Sequence, residues 1–215
     1  FQHKSMMTDY RASPTVVDNR VLIGGAGVWS LNLENGDVIW HSDIGFVTST
    51  PAVENGKVFI GTEENNKSLS KEHPNWKENT IFCLNLENGD ILWEFQADSE
   101  IALSSPAVVD GTVVVGSCEG TLYALSVETG ELLWSFDTGA HILNASPIIA
   151  QDKVVIGAGY LDYGKLFVIN LYTGEVKWER KLSDIYGSSP AVADGMIFIG
   201  SRGSFYAFGY LSPWE

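Results

Sequence analysis

Short apolar runs, separated by turns rich in glycine and acidic residues, follow one another along the chain. The stretch LYALSVETGELLW (122–134) shows the pattern, with an apolar run, a polar turn and a second run that ends in tryptophan. Glycine in the turn supplies the positive φ angle that a tight reversal needs. The pattern predicts a β-hairpin. No segment has the sustained 3.6-residue period of a helix, so the chain is predicted to be all-β.

Nearly the same hairpin occurs at 28–40, 81–93 and 166–178. The repeated unit begins at a Ser/Thr-Pro pair, and its prolines are Pro14, Pro51, Pro106, Pro147 and Pro190. The longest interval contains a polar insert at 62–79. Each unit is predicted to form four short strands. The second strand is apolar at successive positions, which indicates burial on both faces, and GGAG at 24–27 is predicted to be a tight turn before the third strand. Repeats of about 40–45 residues with four strands each are typical of propeller blades.

A tryptophan ends each hairpin at a fixed distance from the turn glycine. The tryptophans are Trp40, Trp93, Trp134 and Trp178. This spacing resembles the tryptophan-docking motif of the PQQ-like (pyrroloquinoline-quinone-type) β-propeller repeats, and four copies in register cover almost the whole chain. The resemblance implies that the four tryptophans are structural and dock against the neighbouring blade, where a large flat side chain fills the gap between twisted sheets.

The two ends of the chain match parts of one repeat. The C-terminal Trp214 and Glu215, read on into Phe1 and Gln2, repeat the WEFQ of 93–96. We therefore expect a single domain over 1–215, a propeller of four-stranded antiparallel blades. Its five blades would be closed by pairing of the N- and C-terminal strands, which removes free sheet edges. The alternative is a segment of a seven- or eight-bladed protein with open ends.

The formal charge of −14 narrows the classes of partner that the chain is expected to bind. A nucleic-acid partner is disfavoured because phosphate binding needs clustered Lys and Arg, and an anionic membrane surface is disfavoured for the same reason. The sequence has no apolar stretch of the length that a membrane-spanning helix needs. We expect a monomer that binds a protein or a peptide.

Candidate chemistry is sparse. Resemblance to the quinoprotein dehydrogenases would imply an adjacent Cys-Cys pair, Ca²⁺ held by Glu, Asn and Asp, and a catalytic Asp. The chain has two cysteines, Cys83 and Cys118, which are not adjacent. No histidine pair has metal-ligand spacing. We expect no catalytic residue, no metal site and no cofactor.

The loops between the fourth and first strands, and between the second and third, vary from repeat to repeat, whereas the third-to-fourth turns are uniform. Repeat scaffolds bind through their variable loops, and exposed Trp, Tyr and Arg are the usual anchors. Trp76 is the sharpest candidate because it lies in the polar insert, where no core should need it. The predicted binding residues are Tyr10, Arg11, Phe46, His73, Trp76, His141, Asn144, Tyr160, Tyr163 and Tyr186.

The sequence favours a non-enzymatic propeller that serves as a protein-interaction scaffold or a sensor module. Family resemblance implies an extracytoplasmic location, periplasmic or at the cell surface, and relatives that include the lipoprotein scaffold of outer-membrane protein assembly. The alternative is a module that binds a small ligand, a quinone or a sugar, or a fragment of a PQQ-dependent dehydrogenase.

Overall fold

The computed structural model describes residues 12–63, 76–101, 103–161, 163–183 and 185–209. Within these ranges the regular structure consists of eighteen β-strands in five antiparallel sheets, which confirms the all-β prediction. No helix that could cross a membrane occurs in this part of the chain. The chain divides into two compact units, residues 1–106 and residues 107–215.

The first unit contains two sheets. The first has the strand order β1-β2-β3 and the second β4-β5-β6-β7, so the strands are adjacent in chain order. Their bounds are β1 Thr15–Val17, β2 Arg20–Asn32, β3 Val38–Phe46, β4 Ala52–Glu54, β5 Lys57–Gly61, β6 Thr80–Asn85 and β7 Ile91–Gln96.

The second unit contains three sheets, ordered β8-β9-β10-β11, β12-β13-β14-β15 and β16-β17-β18. The bounds of the first eight strands are β8 Ala107–Val109, β9 Thr112–Gly116, β10 Thr121–Ser126, β11 Leu132–Asp137, β12 Ile148–Ala150, β13 Lys153–Tyr160, β14 Tyr163–Asn170 and β15 Val176–Leu182. The last sheet is formed by β16 Ala191–Ala193, β17 Met196–Ser201 and β18 Ser204–Gly209.

The first sheet has three strand segments, but β2 contains both the second and the third strand of the repeat. It runs for 13 residues through 24–27, yet the backbone N–H of Leu33, just after it, donates to the carbonyl oxygen of Asn19, just before it, at 3.0 Å. A straight strand would hold these two residues about 45 Å apart, so the chain reverses inside β2, and the positive φ of Gly27 (+81) fits the tight turn predicted at 24–27. In the last sheet, the missing fourth strand would fall in 210–215, outside the described residues. The predicted closing pair of terminal strands lies outside them as well.

The first strand of every sheet begins one residue after a Ser/Thr-Pro pair. Proline suits this position because it has no N–H to donate to a strand ladder. The Ser or Thr before the proline links neighbouring repeats. The backbone N–H of Ser13 donates to Oγ1 of Thr50 at 3.1 Å, and the N–H of Thr50 donates to Oγ of Ser105 at 3.0 Å. In the second unit, the N–H of Ser146 donates to Oγ of Ser189 at 2.9 Å. Equivalent residues of successive repeats are therefore linked directly.

The hydrophobic core lies between adjacent sheets, because the inner strands are buried on both faces. All five residues of β9 are buried, as the apolar run predicts. One cluster in the second unit joins Leu122 and Trp134 of the third sheet to Ile156 and Phe167 of the fourth. A similar cluster joins the two sheets of the first unit. Burying each large side chain of this kind contributes about 1.5–3 kcal/mol.

Two of the hairpin tryptophans, Trp40 and Trp134, donate their indole N–H to a backbone carbonyl of the following sheet. Nε1 of Trp40 donates to the carbonyl oxygen of Leu86 at 2.9 Å, and a Cβ added to Gly89 would lie 2.6 Å from the Trp40 ring. Nε1 of Trp134 donates to Leu171 O at 2.7 Å, and its ring lies against Gly174. The turn glycine therefore provides a flat surface for an indole ring in addition to its positive φ.

The other two tryptophans have different surroundings in the described structure. Trp93 is buried, with its ring centroid 5.9 Å from that of Phe59. Trp178 is partly buried and packs edge-on against Phe208 at 5.4 Å. A docking role for all four tryptophans remains a prediction.

Candidate functional site

Four of the predicted binding residues lie together in the second unit. The β11–β12 connection carries His141 and Asn144, β13 ends at Tyr160, and the β15–β16 connection carries Tyr186. The ring centroids of His141 and Tyr160 are 6.4 Å apart, and those of Tyr160 and Tyr186 are 5.8 Å apart. Nδ2 of Asn144 donates to Oη of Tyr186 at 3.1 Å. Residues far apart in sequence thus form one aromatic cluster.

Backbone hydrogen bonds hold the three segments in place. The N–H of Gly159 donates to the carbonyl oxygen of His141 at 2.8 Å, and the N–H of Gly187 donates to that of Leu143 at 3.0 Å. Nδ1 of His141 lies 3.1 Å from the carbonyl oxygen of Cys118. The aromatic side chains therefore project from loops that are fixed by main-chain contacts, an arrangement that favours recognition.

A groove of about 670 Å³ opens beside this cluster. Its lining comes from three connections: Tyr160 and Leu161 of the β13–β14 hairpin, residues 186–188, and residues 200–202 at the end of β17. The volume is within the range of pockets that hold small molecules or a few peptide residues. Tyr160, Leu161 and Tyr186 are 49%, 58% and 51% exposed, so the groove offers large apolar surfaces to a partner.

The polar wall of the groove is built from serine hydroxyls. Oγ of Ser188 accepts a hydrogen bond from the N–H of Gly200 at 3.2 Å. Oγ of Ser201 lies 3.0 Å from Oγ of Ser183, which in turn lies 3.2 Å from Oη of Tyr206. Hydrogen bonds from Ser183 and then Ser201 lower the pKa of the Tyr206 phenol. A series of neighbouring hydroxyl groups therefore leads from Ser201 in the groove lining to Ser183 and Tyr206 beside it.

Arg202 is one of the groove residues that the sequence did not single out. It occupies, with Gly203, the two-residue turn between Ser201 and Ser204, and it is exposed. In the described part of the chain no carboxylate forms an ion pair with it. The turn SRGS has the composition of ordinary solvated turns, so the sequence gave no sign of it beyond its place in a second-to-third strand loop.

The prediction for Trp76 is wrong about its exposure. It was predicted to be exposed, but it is only 9% exposed, and its indole N–H donates to the carboxylate of Asp43. The next residue, Lys77, donates its backbone N–H to the carbonyl oxygen of Ile44 at 3.1 Å. The end of the insert packs along β3, and this packing covers the ring.

The remaining predicted residues are not part of the groove. Phe46 ends β3 and is half-buried, and its carbonyl oxygen accepts from the N–H of Glu63 at 3.1 Å. Tyr163 is 43% exposed and pairs across the hairpin with Tyr160. Tyr10, Arg11 and His73 lie outside the described residues.

The described residues do not fit the quinone and calcium site that resemblance to the dehydrogenases would imply. Cys83 and Cys118 are both buried and are separated in sequence. No group of three or more His, Cys, Asp or Glu side chains that could hold a metal ion occurs in the described ranges.

The sheets define the class of protein: an all-β propeller of repeated antiparallel blades, each opened by a Ser/Thr-Pro pair. Residues 24–209 match the family of PQQ-like repeats described as "Outer membrane protein assembly factor BamB". The chain belongs to this PQQ-like repeat family.

Solved structures support the fold. BamB from Moraxella catarrhalis superposes with a TM-score of 0.74 at 18% identity, over 98% of this chain and 61% of BamB. Quinohemoprotein alcohol dehydrogenase ADHIIG from Pseudomonas putida HK5 superposes with a TM-score of 0.68 at 16% identity, over 94% of this chain and 41% of the dehydrogenase.

One curated protein is related in sequence. Tetrathionate hydrolase of Acidithiobacillus ferrooxidans is 25% identical over 139 residues, which is 49% of this chain and 28% of the hydrolase. The chain therefore spans about a quarter of the hydrolase and 61% of BamB.

Proposed function

We propose that this protein is a non-enzymatic PQQ-like propeller that serves as a protein-interaction scaffold or sensor module, and that it binds its partner at the groove of the second unit. The observation that most supports this proposal is the pair of half-exposed tyrosines, Tyr160 and Tyr186, whose ring centroids are 5.8 Å apart. Both lie on loops that are held by backbone hydrogen bonds. Tyrosine buries a large area at a low cost in conformational entropy, so it is a common anchor of protein recognition.

The composition of the groove supports binding over catalysis. Its described lining offers two phenols, two serine hydroxyls, one guanidinium group and an exposed leucine. Oγ of Ser188 accepts a hydrogen bond from the backbone N–H of Gly200, and the described lining of the groove contains no histidine, carboxylate or lysine that could act as a base. A nucleophile needs an adjacent base held in turn by a third group.

Family membership supports the same reading. The family is described as an outer membrane protein assembly factor, and BamB carries that role in its name. We propose by this analogy an extracytoplasmic location for this chain and a protein or peptide as its partner.

Site-specific photo-crosslinking tests the proposal. A photoreactive amino acid at Leu161, inside the groove, should capture a defined protein in the cells that make this chain. The same amino acid at Thr173, in the uniform β14–β15 turn of the same unit, is the matched control and should not. Tyr186→Ala should abolish the adduct at position 161 while leaving the melting temperature nearly unchanged, because the ring is half-exposed.

Equal adducts at both positions, or an adduct at 161 that survives Tyr186→Ala, would show that the groove is not the recognition site. A melting temperature that rises with the concentration of PQQ and Ca²⁺ would favour the small-ligand alternative, because a ligand that binds only the folded state stabilises it by mass action.

A further inference from the structure

The groove contains an exposed cation in a strongly acidic protein. The chain has 27 acidic and 13 basic residues, yet Arg202 lies on the groove wall without an ion pair in the described part of the chain. Two other cations of the same unit are paired, Lys165 with Glu179 at 3.3 Å and Lys177 with Glu175 at 2.9 Å, whereas Arg180 and Lys181 of β15, which do not line the groove, form no ion pair in the described ranges. A guanidinium group binds carboxylates through two parallel hydrogen bonds, which gives both strength and direction.

Another part of the groove lining is apolar. Leu161 lies in the two-residue turn that joins Tyr160 to Tyr163, where a positive φ (+57) is ordinary, and its side chain is 58% exposed. Together with Tyr160 and Tyr186, Leu161 forms a surface that would gain by covering an apolar side chain.

Gly200, which lines the groove, is a glycine that its neighbours do not require. Gly61, at the end of β5, is required by its surroundings because an added Cβ would lie 2.2 Å from Ile101. Gly200, near the end of β17, has no such need: an added Cβ would meet only Oγ of Ser188, at 3.4 Å. Its φ lies outside the left-handed region. A glycine that neither backbone strain nor packing demands is typical of a place where another backbone approaches.

We propose that the groove binds an extended peptide segment in which a large apolar side chain lies within two residues of a carboxylate. The carboxylate pairs with Arg202, the apolar side chain covers Tyr160, Leu161 and Tyr186, and the peptide backbone passes over Gly200. The acidic surface elsewhere disfavours anionic partners in general, so the one cation of the wall selects a segment whose negative charge is placed opposite it. This inference rests on the proposed function and adds the class of partner.

Fluorescence anisotropy with end-blocked pentapeptides tests the inference. The probes carry one Asp and one Phe or Leu, placed one or two positions apart, and the matched probes replace Asp by Asn. We expect the Asp peptides to bind at least tenfold more tightly than the Asn peptides, since a charged hydrogen-bonded pair contributes about 1.5–3 kcal/mol.

Three variants test which groove residues bind the peptide. Arg202→Gln should remove the preference for Asp, whereas Arg202→Lys should keep part of it, because lysine retains the charge but not the paired donors. Gly200→Ala should weaken binding at least tenfold without changing the melting temperature, because its Cβ fits the fold but enters the groove. Arg180→Gln, which removes an exposed cation of β15 that does not line the groove, is the control and should change nothing.

Equal affinity for Asp and Asn peptides, or no binding of any Asp peptide tighter than about 1 mM, would overturn the inference. The photo-adduct at position 161 is also measured in the Arg202→Gln variant. If the adduct is lost in Tyr186→Ala but persists in Arg202→Gln, the groove is a recognition site and the carboxylate preference is wrong. If the adduct is absent in the wild-type protein, the proposed function fails instead.

Discussion

Two turn glycines with nearly the same backbone show that glycine has two separate uses in this chain. Gly56 has φ +73 and Gly89 has φ +76. A Cβ at Gly56 would meet nothing within 4 Å, whereas a Cβ at Gly89 would lie 2.6 Å from both the Trp40 ring and Oγ of Ser42. The sequence predicts the first use, since a tight reversal needs positive φ. It does not reveal the second, which depends on a side chain almost fifty positions away.

Gly56→Ala and Gly89→Ala separate the two uses. Gly56→Ala should lower the free energy of unfolding by about 1–2 kcal/mol, the cost of the left-handed conformation. Gly89→Ala should cost about 1–3 kcal/mol more, because the Trp40 ring must also move. Urea unfolding of both variants measures the difference. Equal losses would mean that the indole contact contributes nothing to stability.

Ser30 presents a different residue-scale feature. It is fully buried at the small-residue position of the repeat, where the other copies have Cys83, Ala124 and Val168, and its hydroxyl has no hydrogen-bond partner. A buried hydroxyl without a partner costs about 1–3 kcal/mol. Ser30→Ala should therefore raise the melting temperature. Cys83→Ala, which removes a buried sulfur atom and no unpaired hydroxyl, should not raise it. A fall in the melting temperature of Ser30→Ala would indicate that the hydroxyl is satisfied in solution.

At the scale of elements, the contact between neighbouring sheets depends on the outer strand of one and the turn of the next. Trp134 of β11 illustrates it, since its ring belongs to the core shared by the third and fourth sheets and its N–H reaches Leu171 O. The sequence placed this tryptophan at the end of the hairpin and assigned it a structural role. The acceptor could not be predicted, because a backbone carbonyl has no signature in sequence.

Trp134→Ala should lower the free energy of unfolding by about 3–5 kcal/mol, as truncations of buried aromatic residues do. Trp134→Phe keeps an aromatic ring and loses the N–H, so it should cost less, about 1–2 kcal/mol. Chemical unfolding followed by far-UV circular dichroism measures both. A loss below about 1 kcal/mol for the alanine variant would contradict the docking role.

The strands show how much of the sheet structure the sequence pattern predicts. The alternation of apolar runs and glycine turns predicted sheets β8–β11 and β12–β15 as four-stranded units, because each strand is short and most of the reversals carry a glycine. The first sheet follows the pattern as well. Its GGAG stretch has the composition of a turn, and the hydrogen bond from the Leu33 N–H to the Asn19 carbonyl oxygen shows that the chain reverses inside β2.

At the scale of the molecule, the repeat predicted the family and the fold, but only part of the site. The tyrosines of the groove could be selected because exposed aromatic residues in variable loops are unusual. Arg202, Gly200 and Leu161 could not, because each is ordinary in sequence. They acquire meaning only where connections separated by some forty residues meet.

Closure of the five blades by the terminal strands remains a prediction at this scale, and deletion of residues 1–11 tests it. If these residues pair beside β18, their removal exposes a sheet edge. The melting temperature should then fall by several degrees, at about 2–4 °C for each kcal/mol lost in a chain of this size, and aggregation should increase. A deletion variant as stable and monomeric as the intact chain would favour open ends.

The residues before the prolines have a consequence for how such chains change over time. Thr50 accepts a hydrogen bond from the preceding repeat through its hydroxyl and donates one to the following repeat through its backbone. The link therefore has a direction, and every inserted repeat would bring one acceptor and one donor of its own. A duplication or loss of one whole repeat would leave no polar group of this kind without a partner inside the row. The number of repeats can therefore differ among descendants of one gene without any new side chain being required at these junctions.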